Sequence, residues 1–226
     1  MTQSLVIAPG FCGPPGTGNG GYVCGRIAAN LDGPAEITLR RPPPLAIAMT
    51  VERADQGSVH VLHGGTVVAE GTRLPDGLAM ELPGPVSVPE ARAAGTRCRL
   101  RAHPEEHPFP GCFVCGPDRA PGDGLHILVG PVAGRDLSAD VWHPDQTLTD
   151  SDGHVRPEFV WAALDCAGGI GALGDAAGGP PFVLGRLSAR LIAPIKAGEP
   201  HVVVGWRLAN GGHKMAAGSA LFTATG

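Results

Sequence analysis

Between Phe159 and Leu173 the chain is apolar or glycine except for one carboxylate, Asp165. This run predicts a helix, and a helix that is hydrophobic on every face is buried. An aspartate is rarely buried without a partner, because an unpaired carboxylate is costly in apolar surroundings. Asp165 is therefore a candidate catalytic group. The alternative is that Asp165 accepts a hydrogen bond from a backbone group while the nearby glycines let a strand pack closely.

A second set of chemically active residues has the spacing His-x3-His-x4-Cys-x2-Cys, from His103 and His107 to Cys112 and Cys115. These ligand types and the Cys-x2-Cys spacing suit zinc. A zinc knuckle, however, normally presents its ligands from two turned segments, and the intervening PEE and PFPG are short and stiff. We therefore favour a linker whose cysteines pack against the sheets, and we expect no metal.

The composition is that of a folded protein and excludes several classes of partner. The 226 residues are 43% apolar and 17% charged, with a net charge of −4 and six cysteines. Nothing is basic enough to suggest a nucleic-acid surface, and no apolar run approaches the ~18 residues of a membrane helix. Six cysteines are too dilute for a disulfide scaffold. The beginning of the chain has no signal-peptide pattern, so we expect a cytoplasmic protein.

The elements that must position Asp165 occur twice in the chain. AEITLRRPPPLAIAMTVERA matches GRLSARLIAPIKAGEPHVVVGWRL and places Arg40 on Arg190. Both segments predict a strand, a proline-marked break and a second strand. GGYVCGRIAANL lies over PEFVWAALDCAG and places Tyr22 on Phe159, and GSVHVLHGG lies over GSALFTATG without a gap. The sequence therefore predicts two copies of one helix-and-strand unit.

This internal match divides the chain into three parts. We expect one repeat over residues 1–100, a linker with the Cys-x2-Cys motif over 101–123, and a second repeat over 124–226. The first repeat continues past its Gly-Gly turn into another strand, TVVAEGTR. The second repeat has no counterpart to that strand before Gly226, so its last strand is expected to be absent.

The segments GNGGYVCGRIAANL, FVWAALDCAGG, GSALFTATG and HPFPGCFVCGPDRAPGDGLHI carry a likeness to a known family. With the duplicated pattern of helix and strands, the chain resembles the double-hotdog acyl-CoA thioesterases of the type II and phenylacetate-pathway kinds. The resemblance implies an α+β fold, a duplicated hotdog in which two antiparallel sheets each wrap a long central helix and join as a pseudo-dimer. It also implies that the sheets form one continuous layer and that acyl-CoA binds in the seam between the halves.

The same resemblance suggests a role for Asp165. In the phenylacetate-type enzymes an acidic residue inside the hotdog helix faces the seam, and Ala163 to Asp165 (ALD) matches that text. The carboxylate then acts as general base on water or as direct nucleophile on the thioester. Its partner is the start of the opposite helix, where the free amides of Gly20 and Gly21 hold the thioester oxygen. Asn19 is suited to be the N-cap of that helix.

The two repeats are expected to be complementary. The first has Ala28 where the second has Asp165, and the second has Pro157 where the first has Gly20. A proline supplies no N–H, so the reciprocal site is expected to be inactive. Ser219 lies where type II enzymes carry a water-orienting glutamine, and their threonine has no match, which favours a scheme with an acid alone. The alternative for Ser219 is a small residue at a strand bend.

We therefore predict an acyl-CoA thioesterase that needs no cofactor and no metal. The catalytic residues are predicted to be Asp165, Gly20, Gly21 and Ser219, and the substrate-binding residues to be Asn19, Tyr22, Glu158, Trp161, Gly168 and Gly169. A non-catalytic acyl-CoA-binding protein is the main alternative. A hotdog enoyl-CoA hydratase is a weaker alternative, because its Asp, His and Asn-Pro pattern is missing. We expect no nucleic-acid or membrane partner, and a homodimer of pseudo-dimers is compatible with the sequence.

Overall fold

The computed structural model describes residues 3–54, 57–174, 181–211 and 214–226. The fold is α+β, with four α-helices and ten strands in the described residues. The helices are α1 Gly20–Ala28, α2 Val88–Thr96, α3 Arg99–Ala102 and α4 Pro157–Leu173. The strands are β1 Gln3–Leu5, β2 Ala35–Leu39, β3 Met49–Ala54, β4 Ser58–His63, β5 Thr66–Arg73, β6 Gly130–Pro131, β7 Ser138–Trp142, β8 Arg186–Ala189, β9 His201–Gly211 and β10 Lys214–Thr223.

The larger sheet has the strand order β1-β3-β4-β5-β2-β8, and its neighbouring strands are antiparallel. Five strands come from the first part of the chain. The sixth, β8, comes from the second part and lies beside β2, with Leu187 opposite Ile37. The two parts of the chain are therefore joined through backbone hydrogen bonds.

The smaller sheet has the order β10-β9-β7-β6 and is also antiparallel. Our expectation of one continuous layer is wrong for the described residues, because the hydrogen bonds form two separate sheets. Strand β8 ends one sheet and β10 ends the other. None of the described strands corresponds to a second copy of β5, the strand expected to be absent from the second repeat.

Helices α1 and α4 pack closely and run in opposite directions. A Cβ atom added at Gly21 would lie 2.5 Å from the carbonyl oxygen of Trp161, and one at Gly25 would lie 2.5 Å from Cα of Glu158. Later positions in α1 therefore contact earlier positions in α4, as expected for an antiparallel pair of helices. Because glycine has no side chain, these two positions allow the helix backbones to approach each other.

Helix α4 also lies directly on the smaller sheet. A Cβ atom at Gly205 of β9 would overlap the carbonyl oxygen of Ala167, so this contact again requires glycine. The apolar face of α4, which includes Phe159 and Ile170, is buried in the main core. The helix is therefore fixed between α1 on one side and β9 on the other.

The segment before the predicted linker packs with the second sheet. Val86 and Ala91, the latter in α2, form a smaller core with Ala139, Val204 and Trp206 of that sheet. The predicted boundary at residue 100 assigns α2 to the first repeat, although its buried face contacts strands of the second. The division of the chain into repeats stays a prediction.

The predicted linker contributes to the main core. Phe113 and Val114, between the two cysteines of the Cys-x2-Cys motif, are buried. The Phe113 ring stands edge-on to Phe11 at a centroid distance of 5.0 Å, and Phe11 stacks on Tyr22 at 4.1 Å. This segment therefore holds α1 and α4 together. Among the described residues, the helices are all too short or too polar to cross a membrane.

Candidate active site

The structure brings Asp165 of α4 to the first turn of α1. The backbone N–H of Gly21 donates a hydrogen bond of 2.8 Å to Oδ2 of Asp165. The contact requires glycine at position 21, because a side chain there would collide with Cβ of Asp165 and keep the two helices apart. The contact fits both sequence interpretations of Asp165, as a catalytic group facing the other repeat and as an acceptor for a backbone N–H.

The surroundings of Asp165 favour its neutral form. Burial raises the pKa of the carboxyl from its ordinary value to about 7, and the charge on the nearby Cys112 sulfur adds to this effect. The hydrogen bond from Gly21 acts in the opposite direction but does not balance the burial. A carboxyl with a pKa close to neutral can accept a proton and return it under the same conditions.

The start of α1 has the cap that the sequence predicts. The side chain of Asn19 accepts a hydrogen bond of 2.9 Å from the N–H of Tyr22, which confirms Asn19 as the N-cap. The Gly21 N–H, which we expected to hold the substrate oxygen, is already bonded to Asp165. The described residues supply no acceptor for the neighbouring Gly20 N–H. This N–H lies at the positive end of the helix dipole.

A wide groove reaches Asp165 from the surface and has a volume of about 1870 Å³. It lies between the edge strands β8 and β10, and its floor includes one face of α4. Val160, Leu164, Asp165 and Gly168 of α4 line this floor. The walls are largely apolar, so the groove is suited to an apolar chain with a reactive group near Asp165.

Other side chains partly cover the two glycines that follow Asp165 in α4. The side chain of Ser219 lies 3.6 Å from the Cβ position of Gly168, and the ring of Phe182 occupies the space beside Gly169. Gly168, Gly169 and Ser219 all line the groove. The space beside Gly169, which we predicted to bind substrate, is therefore already filled by Phe182.

Four predicted substrate-binding residues, among them the N-cap Asn19, do not line the groove, and neither do the predicted catalytic residues Gly20 and Gly21. Tyr22 is buried in the aromatic cluster and its hydroxyl accepts a hydrogen bond of 3.2 Å from Arg26. Trp161 is buried against Gly25. Glu158 lies beside the same glycine, 3.9 Å from the guanidinium of Arg156. These contacts fix the two helices relative to each other.

The four candidate zinc ligands, from which we expected no metal site, do not form one cluster. Cys112 and Cys115 instead form a cluster with Cys166, which follows Asp165 on α4, and we call these three residues the thiol cluster. Cys166 Sγ lies 3.5 Å from Cys115 Sγ and 3.9 Å from Cys112 Sγ. His103 faces Glu105 at 3.3 Å instead. His107 accepts a 3.1 Å hydrogen bond from the N–H of Phe109.

Sequence reasoning missed two contributors to the site. Leu184 Cβ lies 2.8 Å from the Cβ position of Gly20, and Leu184 lines the groove whereas Gly20 does not, so this leucine packs on Gly20 from the side of the groove. No motif marks this leucine, because its contact depends on the path of residues 181–185 across the groove. Cys166 was visible as a cysteine next to Asp165, but only the packing of the Cys-x2-Cys segment against α4 shows its partners.

Comparison with solved structures gives the class of fold. The tesB protein of Mycobacterium avium subspecies paratuberculosis is similar over 100% of this chain and 87% of its own, with a TM-score of 0.62 and 12% identity. The acyl-CoA thioesterase II TesB2 of Mycobacterium marinum is similar over 100% and 88%, with a TM-score of 0.60 and 10% identity. A protein of unknown function with a hotdog fold from Alicyclobacillus acidocaldarius covers 100% and 88%, at a TM-score of 0.59 and 10% identity.

The chain therefore shares the fold of these proteins, which is a hotdog fold. No protein-family model matches the sequence, and no curated protein matches it either. At such low identities the likeness shows the fold alone, so the reaction has to be argued from the residues of this chain.

Proposed function

We propose that this protein hydrolyses an acyl-CoA thioester in the groove, with Asp165 as the general base. The observation that carries the proposal is the contact between Asp165 and the start of α1, where the Gly21 N–H binds the carboxylate and the adjacent Gly20 N–H has no acceptor among the described residues. Two structurally similar proteins are named as tesB and acyl-CoA thioesterase II, which agrees with this reaction class.

In the proposed reaction, the N–H groups of Gly21 and Gly20 have different roles. The Gly21 N–H holds Oδ2 of Asp165 in place, so the carboxylate can accept a proton from a water molecule. That water attacks the thioester carbonyl carbon, and the oxygen that gains charge is held by the Gly20 N–H and the positive end of α1. Collapse of the tetrahedral intermediate breaks the carbon–sulfur bond and releases the acid and CoA, whose sulfur takes up the proton from Asp165.

We also propose that the site unites two copies of one unit. Helices α1 and α4 begin at Gly20 and Pro157, which are the positions aligned by the internal sequence match. In that alignment the first copy supplies the amide and the second supplies the acid. Only this combination has both groups, so the chain is expected to have one active site.

The test is hydrolysis of a panel of acyl-CoA esters of different chain length, followed by chromatography of acyl-CoA and CoA. Chromatography avoids thiol reagents, which would also react with the cysteines of the protein. Removing a general base slows a reaction by ~10²–10⁴-fold, so Asp165→Asn is expected to lose activity to that extent. Asp152→Asn removes an exposed carboxylate from the loop before α4 and is the matched control.

Full activity of Asp165→Asn would contradict the role given to Asp165. The lack of the type II glutamine and threonine partners favours a second candidate, a protein that binds acyl-CoA without hydrolysing it. A rise in melting temperature with acyl-CoA, without release of CoA from any ester of the panel, would establish that candidate and overturn the thioesterase.

A further inference from the structure

The thiol cluster is assembled from two distant parts of the chain. Cys112 and Cys115 lie in a tight turn that is closed by a 2.9 Å hydrogen bond from the Gly116 N–H to the Cys112 carbonyl. A Cβ atom at Gly116 would meet the backbone of Pro110 and Cys112, so the turn requires glycine. The turn points both sulfurs toward Cys166 on α4, and all three sulfurs lie within 4.8 Å of one another.

The spacing of the sulfurs matches that of thiolates around one cation. Thiolates bind zinc at about 2.3 Å in a tetrahedron, which separates neighbouring sulfurs by roughly 3.8 Å. The distances from Cys166 to Cys115 and Cys112 are 3.5 and 3.9 Å. A disulfide would need about 2.0 Å between two sulfurs, and all six cysteines are free thiols here.

One neighbour of the cluster, Asn19, is placed to donate to the sulfurs. The Asn19 side-chain nitrogen lies 3.7 Å from Cys112 Sγ and 3.8 Å from Cys166 Sγ. Its oxygen is committed to the N–H of Tyr22, so the cap at α1 fixes the donor end of the amide toward the sulfurs. Asn19 is itself 2% exposed, so the donor points into a closed space. Donors of this kind orient and support metal-bound thiolates.

We propose that Cys112, Cys115 and Cys166 bind one zinc ion through three thiolates. Soft thiolate ligands favour zinc among the divalent cations that are common in cells. The described residues bring no fourth cysteine, histidine or carboxylate oxygen into the cluster, so a water molecule or another small ligand completes the tetrahedron. The ion ties the Cys-x2-Cys turn to α4 beside Asp165 and thereby holds the start of α1 against that helix.

The first test measures metal in the purified chain by mass spectrometry. The unaltered protein is expected to carry about one zinc ion per chain, and Cys112→Ser and Cys166→Ser are each expected to carry at most a tenth of that. Cys98→Ser is the matched control, because Cys98 is also a buried thiol but lies outside the cluster. Zinc retained in full by Cys166→Ser would overturn the proposal.

The second test needs no variant and therefore does not depend on whether a variant folds. Cobalt added to the metal-depleted, unaltered chain is expected to give sulfur-to-cobalt charge-transfer bands and the visible bands of tetrahedral cobalt. Trace metal in the purified chain together with a cobalt spectrum that lacks these bands would overturn the site. Copper in place of zinc would overturn the choice of metal. Neither measurement depends on thioester hydrolysis, so this proposal and the proposed function fail separately.

Discussion

Gly21 and Asp165 are separated by 144 positions in the sequence and joined by one hydrogen bond of 2.8 Å. The bond exists because the first turn of α1 has no side chain at this position and because α4 has a carboxylate opposite it. It links the fold to the proposed chemistry, since the same close approach that packs two helices also places the acid.

Gly21→Ala is expected to destabilise the protein by about 1–3 kcal/mol, the usual effect of overpacking. The added methyl group would meet the backbone oxygen of Trp161 and Cβ of Asp165, and neither can move without separating the helices. The measurement is the free energy of unfolding in urea.

The matched control is Gly20→Ala at the adjacent position. A methyl group there would meet Cβ and Cδ2 of Leu184, which lies outside the helices and strands, whereas the methyl group at Gly21 would meet the backbone of α4. We expect less than half the loss seen for Gly21→Ala. Equal losses at both positions would contradict the packing described for the two helices.

Asp165→Asn is expected to stabilise the folded protein at pH 8 while it abolishes activity. Burial raises the pKa of Asp165 to about 7, so at pH 8 the folded state holds a charge in surroundings that disfavour it. Asparagine carries no charge and its oxygen can still accept the Gly21 N–H. We expect a gain of about 1–2 kcal/mol, after allowing for the partial exposure of the side chain to solvent.

This gain is read from the midpoint of thermal or urea unfolding of the two proteins at the same pH. A loss of stability in the variant would show that the charged form of Asp165 is favoured in the folded state. In that case the carboxylate would have a structural partner that outweighs its burial.

The sequence predicts those parts of the site that depend on interactions between residues close together in the chain. Asp165 and the glycines of α1 were recognisable because a charge in an apolar helix and a glycine pair at a helix start are local signals. The N-cap role of Asn19 is local too and is confirmed. The hotdog type of fold was implied by the resemblance to a known family, and the similar structures support it.

The parts that the sequence did not predict are contacts between distant segments. The thiol cluster depends on how the Cys-x2-Cys turn meets α4, and histidines close in sequence were the wrong partners for it. Likewise, the separation of the sheets depends on which strands find a neighbour, and β8 pairs with β2 of the other half. Strand pairing of this kind is set by the whole fold and is poorly specified by a short segment.

His107 gives a prediction for pH dependence. Its ring is buried, Nδ1 accepts from the N–H of Phe109, and burial lowers its pKa below the ordinary value of 6.5. At pH values between the folded-state pKa of His107 and 6.5, the unfolded chain binds a proton at His107 more readily than the folded protein does. The stability contributed by neutral His107 is therefore full above pH 6.5 and is lost as the pH falls toward the folded-state pKa.

The comparison is with His107→Asn, whose side-chain oxygen can take the place of Nδ1 as acceptor. We expect the unaltered protein to lose more unfolding free energy than this variant when the pH falls from 6.5 to about 5. Urea unfolding at both pH values measures the difference. Parallel losses in the two proteins would show that His107 is protonated equally in both states.

Leu184 is expected to control access of the acyl group to the Gly20 amide. Its Cβ and Cδ2 atoms lie 2.8 and 3.0 Å from the Cβ position of Gly20, and Leu184 lines the groove whereas Gly20 does not, so we expect a substrate carbonyl to reach the Gly20 amide only past this leucine. Leu184→Ala removes the side chain beyond Cβ and should raise kcat/KM for bulky acyl groups relative to short ones by about tenfold, within the range for a few methylene groups. Leu184→Trp should lower kcat/KM for all esters of the panel.

The ratio of kcat/KM for a long and a short acyl-CoA ester separates this effect from a general loss of stability. Leu74→Ala makes the same truncation at a half-buried leucine outside the groove and should leave the ratio unchanged. If Leu184→Ala also leaves the ratio unchanged while the enzyme stays active, the substrate does not pass this side chain. The oxygen of the thioester would then have to be held by a group other than the Gly20 N–H, because Leu184 closes the described approach to that amide.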